Sequence, residues 1–180
     1  MPKTKLKQIE NSPNDVRPIG ARALKSVIDT LRPYLQDAKV LDLFAGQGRF
    51  GITASDESIS SVLFIENDPK ASATIKSFVV GRQFPKQVTA NVFCRDVFLF
   101  LDRCKETFDI VFADPPFPLW NDKFATQLFS GVYRVLQEGS IFLVKQPSRM
   151  VPCSQIEGLT LFKTSDFGES RLLYFRYEKK

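Results

Sequence analysis

With 180 residues, 43% of them hydrophobic and 25% charged, the chain is long enough to bury a substantial core, and one globular domain is expected. It has no histidine, and Cys94, Cys104 and Cys153 form no C-x-x-C pair. Ser-His-Asp chemistry and histidine-ligated metals are therefore excluded, neither a four-thiolate zinc site nor a disulfide framework is indicated, and the cysteines are expected to be small buried hydrophobes. The net charge of +5 is uneven: the first 35 residues hold seven Lys or Arg against Glu10, Asp15 and Asp29. A positive end of this kind suits a phosphate backbone or a solvated tail.

Residues Met1 to Asn14 carry Lys3, Lys5, Lys7 and two prolines without apolar periodicity, so 1–14 reads as a flexible basic arm ahead of a domain spanning 15–180. From Ile19 to Leu35, apolar residues at 23, 24, 27, 28, 31 and 35 predict an amphipathic helix whose last turn Pro33 disturbs. Short apolar runs then predict strands at Lys39 to Phe44, Ser61 to Ile65, Val88 to Cys94, Phe108 to Ala113 and Ser140 to Lys145. Helices are predicted between them near Arg49 to Ser55, Lys70 to Arg82, Val97 to Cys104 and Lys123 to Leu136. The longest unbroken apolar run, Val97 to Leu101, is far too short to span a membrane. There is no signal-peptide pattern, and a cytoplasmic monomer without metal is expected. Near-continuous hydrophobicity, as in Ile110-Val111-Phe112-Ala113, suits strands covered on both faces, so the fold class is α/β, a mostly parallel doubly wound sheet. Leu159 to Thr164 and Arg171 to Tyr177 are linked too closely for a helix and should form an antiparallel C-terminal pair.

Four strand ends carry candidate chemistry. After the first, Gly46, Gly48 and Gly51 satisfy G-x-G-x-x-G, the pattern of a loop that lets backbone approach a nucleotide. Dinucleotide enzymes share that spacing. Asp42 argues against a pyrophosphate, which it would repel, and favours the cationic S-adenosylmethionine. It precedes the glycines and looks badly placed to cap the next helix. Phe44 and Ala45 belong to the same loop. Glu66, followed by Asn67, closes the second strand, where a carboxylate can accept from both ribose hydroxyls of an adenosine. Asp96, followed by Val97, can accept from an adenine amino group and also cap a helix.

The fourth strand runs into Asp114-Pro115-Pro116-Phe117. Each proline fixes its own φ and disfavours helix for its predecessor, so the loop is rigid. An amino group on a base is a poor nucleophile because its lone pair is delocalised into the ring. Acceptors on the Asp114 side chain and the Pro115 carbonyl could bind its two N–H groups and turn the lone pair towards a methyl donor. Phe117 can stack on a base drawn out of its helix.

Val40 to Ile52, Ile65-Glu66-Asn67-Asp68, Phe108 to Phe117 and Phe167 to Tyr174 together resemble the bacterial small-subunit ribosomal RNA guanine-N2 methyltransferases. The resemblance runs from about Arg17 to Tyr177. It implies a Rossmann-like seven-stranded methyltransferase sheet with helices on both faces, S-adenosyl-L-methionine as cofactor and a guanine N2 target in ribosomal RNA or the small ribosomal subunit. It also places Arg17 and Arg22 beside the active site as substrate-binding residues. Gln47, Arg49 and Ala21 depart from the family's usual residues. The expected activity is transfer of a methyl group to guanine N2. The rivals are an adenine-N6 methyltransferase acting on DNA or another RNA, and a non-catalytic RNA-binding module on the same fold.

Overall fold

The computed structural model describes residues 20–81, 84–151 and 157–179; the arm, Arg17 and Cys153 lie outside them. The described chain forms strands β1 (Lys39–Leu43), β2 (Ser61–Glu66), β3 (Thr89–Cys94), β4 (Phe108–Ala113), β5 (Leu136–Pro147), β6 (Leu159–Phe167) and β7 (Ser170–Tyr177). Its α-helices are α1 (Ala21–Leu31), α2 (Arg49–Ser55), α3 (Pro69–Val80), α4 (Val97–Arg103) and α5 (Asp122–Tyr133). They build one sheet in the order β3-β2-β1-β4-β5-β7-β6. Its first five strands are parallel, and β7 runs antiparallel to both neighbours. This is the Rossmann-like arrangement expected.

Local sequence explains the element ends. α1 buries Ala23, Leu24, Val27, Ile28 and Leu31, and at Pro33 the chain tightens into a 3₁₀ turn, Arg32–Tyr34, because proline brings no N–H to continue the ladder. Asp68, Asp96 and Asn121 cap α3, α4 and α5, each side chain accepting a backbone N–H three residues on at 2.7 to 3.0 Å. Such caps contribute about 1 kcal/mol each.

Strand alternation splits the core in two. Val40, Val62, Phe64, Ile110, Phe112, Ile141 and Leu143 pack towards α1, α2 and α3. Leu41, Leu43, Ile65, Val111, Ala113, Phe142 and Val144 pack towards α4 and α5. Continuing each alternation to the strand's C-terminal end puts Asp42, Glu66, Asp114 and Lys145 on the α1–α3 side. That parity assembles the charged residues of the site.

Three expectations need correction. β5 begins at Leu136 rather than Ser140, because Leu136 pairs with Phe108 before the ladder shifts register by Ile110. Gly139 takes the kink at φ +81°, and Ser140 Oγ donates to the Phe108 carbonyl at 2.7 Å. The link from β6 to β7 is only Gly168-Glu169, since Phe167 already pairs with Ser170; Gly168, at φ +61°, has the sign that the first position of a type II′ hairpin turn requires. Cys94 is exposed and Cys104 only partly buried. The reason for Cys94 is that β3 forms the sheet's edge and is covered less than its neighbours.

Candidate active site

The connections leaving β1, β2, β3, β4 and β5 gather at one end of the sheet. The chain winds outward from β1 through β2 to β3, then crosses to β4 on the other side of β1. Doubly wound sheets bind ligands in the crevice that such a reversal opens.

The loop after β1 is built tightly. Phe44 and Gly46 take φ of +55° and +56° and Gly48 takes +70°. Gly48 N–H donates to the Ala45 carbonyl at 2.7 Å, and Ala45 N–H to the Ile65 carbonyl at 3.1 Å. A Cβ on Gly48 would meet Ile75, Ile52 and Phe64 at 3.1 to 3.3 Å, whereas one on Gly46 would find no side chain within 4 Å. Gly46 is therefore the open position and Gly48 the packed one. The Phe44 ring faces Phe98 and Phe124, at centroid distances of 6.4 and 6.0 Å, so it is engaged in the α4–α5 core.

Asp42 overturns one expectation. Its Oδ2 accepts the Gly51 N–H at 3.0 Å, so it does cap the first turn of α2, reaching it from the strand beneath. Sequence distance hid this, because a cap is normally sought immediately before the helix. The side chain is 1% exposed, and burial holds its carboxyl well above the usual carboxylate range. The charges of Asp114 and Glu66 raise it further, while the Gly51 bond opposes them.

Glu66 is also partly committed: Oε2 accepts from Gly46 N–H at 2.6 Å and Oε1 from Asp68 N–H at 2.8 Å. Each carboxylate oxygen keeps capacity for a further bond. Asn67 is exposed beside it, and Asp96 stands half-buried at the head of α4, with Val97 buried beneath. The observed bond of Asp96 is its helix cap, one of its two expected roles. Gln47 Oε1 and Arg49 Nε are buried without a hydrogen-bond partner among the described residues, inside the same loop.

At the end of β4, Asp114 N–H donates to the Leu43 carbonyl at the end of β1 at 3.3 Å, which joins the two loops. Pro115 is buried, Pro116 and Phe117 are half-buried, and Phe117 opens a 3₁₀ turn to Leu119. The Asp114 side chain is 13% exposed and faces Lys145 Nζ at 2.5 Å, itself on a side chain 6% exposed. Burial raises the Asp114 carboxyl above its ordinary range, and the Lys145 charge pulls it back down. Lys145 Nζ also lies 5.5 Å from the Phe117 ring centroid.

Sequence reasoning missed Lys145, although a signal existed: it ends an apolar run, Ile141 to Val144, of which every member is 0% exposed. The structure thus brings Asp42, Glu66, Asp114 and the glycine loop together. Arg22 sits exposed in the first turn of α1. Among the described residues no acidic or cysteine cluster suits a metal, and no helix is long and apolar enough to cross a membrane.

Residues 3–176 match the family described as Conserved hypothetical protein 95. The Bacillus subtilis protein YlbH, whose name proposes an rRNA methyltransferase, is 30% identical over 84% of this chain and 83% of its own length. Ribosomal RNA small subunit methyltransferase D of Haemophilus influenzae is 31% identical over 57% of this chain and 53% of its own. Among solved structures, the Escherichia coli protein YhhF, named as a candidate methyltransferase, superposes with a TM-score of 0.80 at 20% identity, covering 94% of this chain and 92% of that one. The Thermus thermophilus 16S rRNA N2 G1207 methyltransferase, solved with AdoMet and guanosine, gives 0.70 at 18% identity over 93% of this chain and 45% of that one. The chain belongs to the Conserved hypothetical protein 95 family, whose fold is the Rossmann-like methyltransferase sheet and whose curated relatives include ribosomal RNA small subunit methyltransferase D.

Proposed function

We propose that this protein transfers the methyl group of S-adenosyl-L-methionine to the exocyclic N2 amino group of a guanine in small-subunit ribosomal RNA. The observation that carries the reading is the Asp114 carboxylate, held between a proline-stiffened loop and Lys145 beside the end of β1, where the glycine loop begins. Membership of a family with ribosomal RNA methyltransferases supports the RNA target, and the guanosine bound by the Thermus thermophilus enzyme supports the base.

The ends of β1, β2 and β3 fit the cofactor by their chemistry. They offer acceptors: the Asp42, Glu66 and Asp96 carboxylates and the Gln47 oxygen, which has no hydrogen-bond partner among the described residues. An adenosine with a cationic amino-acid tail presents donors to match, whereas a pyrophosphate would be repelled. Glu66 and Asn67 would take the ribose, Asp96 and Val97 the adenine, and the backbone of Phe44 to Gly48 the tail. The cofactor, when bound, supplies an electrophilic methyl on sulfur.

The rest falls to this chain's second loop. Asp114 and the Pro115 carbonyl accept the two amino N–H groups, which steers nitrogen towards tetrahedral geometry and stabilises positive charge developing there. Phe117 stacks on the base, and Pro115 and Pro116 keep both groups in register. Alignment supplies most of the rate. Arg17 and Arg22 would hold RNA at the mouth of the site, and the arm 1–14 would add phosphate contacts. We take the enzyme to act as a cytoplasmic monomer without metal.

The test is to incubate purified protein and cofactor with naked small-subunit RNA, small subunits and DNA, then analyse the nucleosides by mass spectrometry. N2-methylguanosine from ribosomal RNA is the expected product. N6-methyladenosine would replace this reading with an adenine methyltransferase, and an absence of cofactor binding would leave an RNA-binding module.

A further inference from the structure

We propose that Lys145 is a positioning residue for methyl transfer, whose single buried ammonium holds Oδ1 of Asp114 and lies against the face of Phe117, fixing acceptor and stacking ring together. The proposal rests on the reading of Asp114 to Phe117 as the amino-group loop.

The placement is specific. Val144 pairs with Ala113 across the β4–β5 ladder, so the next residue of β5 stands beside the first residue after β4. On its other side Lys145 pairs with Leu172 of β7, which is 0% exposed. An apolar side chain would satisfy that position at lower cost, because taking an ammonium and a carboxylate out of water carries a desolvation penalty that their attraction often only balances. Lys145 is therefore poor value as a fold stabiliser. Its geometry points instead to the loop: 2.5 Å to Asp114 Oδ1 and 5.5 Å to the Phe117 centroid, within the range of a cation–π contact. With Oδ1 engaged by the ammonium, the carboxylate is fixed in rotation and Oδ2 is the oxygen to present to an amino group.

The same pair sets the charge of the site. Burial pushes the Asp114 carboxyl above its ordinary range, and the nearby ammonium opposes that shift. At this end of the sheet the neighbouring elements also carry Asp42 on β1, Glu66 on β2, Arg49 on α2, Arg22 on α1, and Arg171 on β7, which is held by Asp166 at 2.6 Å, with Glu169 in the turn before it. Among the interactions of Asp114, that with Lys145 is the one that lowers its carboxyl.

The experiment measures single-turnover methylation against pH, at saturating cofactor, for the parent, Lys145→Met, Lys145→Gln and Lys145→Arg, each also in an Asp114→Asn background. Cofactor titration of every variant reports an intact fold. Removing the charge should move the acid limb of the profile upward by roughly one to three pH units, tenfold in rate per unit on that limb. Lys145→Arg should keep the parent's limb, and in the Asp114→Asn background Lys145→Met or Lys145→Gln should have little further effect. Lys145→Gln carries the test if the methionine variant fails to fold. An active parent whose charge-removed variants keep its profile, scaled down equally in both backgrounds, overturns the proposal alone. A parent that methylates no base amino group overturns the underlying reading and the proposal with it.

Discussion

Replacing Gly51 by alanine sets two effects against each other. Gly51 lies in the first turn of α2, where alanine is favoured over glycine by about 0.5–1 kcal/mol. A Cβ there, however, would lie 2.3 and 2.7 Å from two ring carbons of Phe64 and 2.9 Å from Cγ2 of Val62. Those side chains are 0% and 1% exposed, so neither can swing away, and overpacking of this kind costs about 1–3 kcal/mol. Overpacking wins, with a net loss of roughly 1–2 kcal/mol. At roughly 2–4 °C per kcal/mol for a domain of this size, the melting temperature should fall by about 2–8 °C. The displacement also reaches the site: if α2 backs away from β2, the 3.0 Å bond from Gly51 to Asp42 lengthens and the loop from Ala45 to Gly48 shifts with it. Cofactor affinity should therefore fall alongside stability. Thermal unfolding by circular dichroism and calorimetric titration in one buffer would measure both. A Gly51→Ala protein that melts at or above the parent temperature would refute the argument that close helix–sheet approach requires this glycine.

Asp114→Ala should reduce single-turnover methylation on the order of 100-fold to 1,000-fold by analogy with removing one preorganised partner, and Asp114→Asn should be milder because its amide oxygen still accepts. The alanine change also takes the carboxylate from a buried lysine, at a stability cost of up to roughly 3–5 kcal/mol. Adding Lys145→Met should restore the melting temperature but not the turnover; recovery of both would reduce Asp114 to a turn residue. For Asp42→Asn the sign follows from burial. The native carboxyl is raised above 3.8, so the native state binds the proton more tightly and parent stability is lost as pH rises from about 4 through the raised value. Asparagine keeps an acceptor for Gly51 without that loss, so its stability relative to the parent should grow over the same window; urea midpoints with a pH-independent difference would contradict this. Deleting Met1 to Asn14 should weaken RNA binding and flatten its salt dependence while sparing the cofactor. Each lost phosphate contact removes roughly 0.7–0.9 from the slope of log affinity against log salt. An unchanged slope would return Lys3, Lys5 and Lys7 to a solvated tail.

Periodicity made the alternation of strands and helices legible, and the Asp42-to-Gly51 and Asp114-to-Phe117 segments showed which strand ends to watch. What stayed hidden depends on neighbours distant in the chain. Asp42 caps a helix that starts seven residues later, which becomes possible only once α2 packs over β1. The early start of β5 follows from Leu136 pairing with Phe108, and no local apolar pattern marks it. Cys94 reads as a core residue until β3 is known to be an edge. The Lys145 charge is visible in the sequence, but its partner lies 31 positions away, across a strand pairing that hydrophobic runs alone do not specify.

The insertion of β7 between β5 and β6 dictates an order of assembly. β6 contacts the sheet through β7, so it has no place there until β7 has paired with β5. The two-residue turn at Gly168-Glu169 allows β6 and β7 to form first as a local hairpin, an event of about 1–10 μs, and then dock as a unit. On a ribosome adding roughly 5–20 residues per second, however, β5 is finished more than 20 residues before β7 emerges. For a second or more its outer edge, centred on Ile141 to Val144, stands unpaired. An edge of that composition is a template for pairing with another chain. The period between completion of β5 and arrival of the hairpin is thus when this nascent protein is most exposed to aggregation.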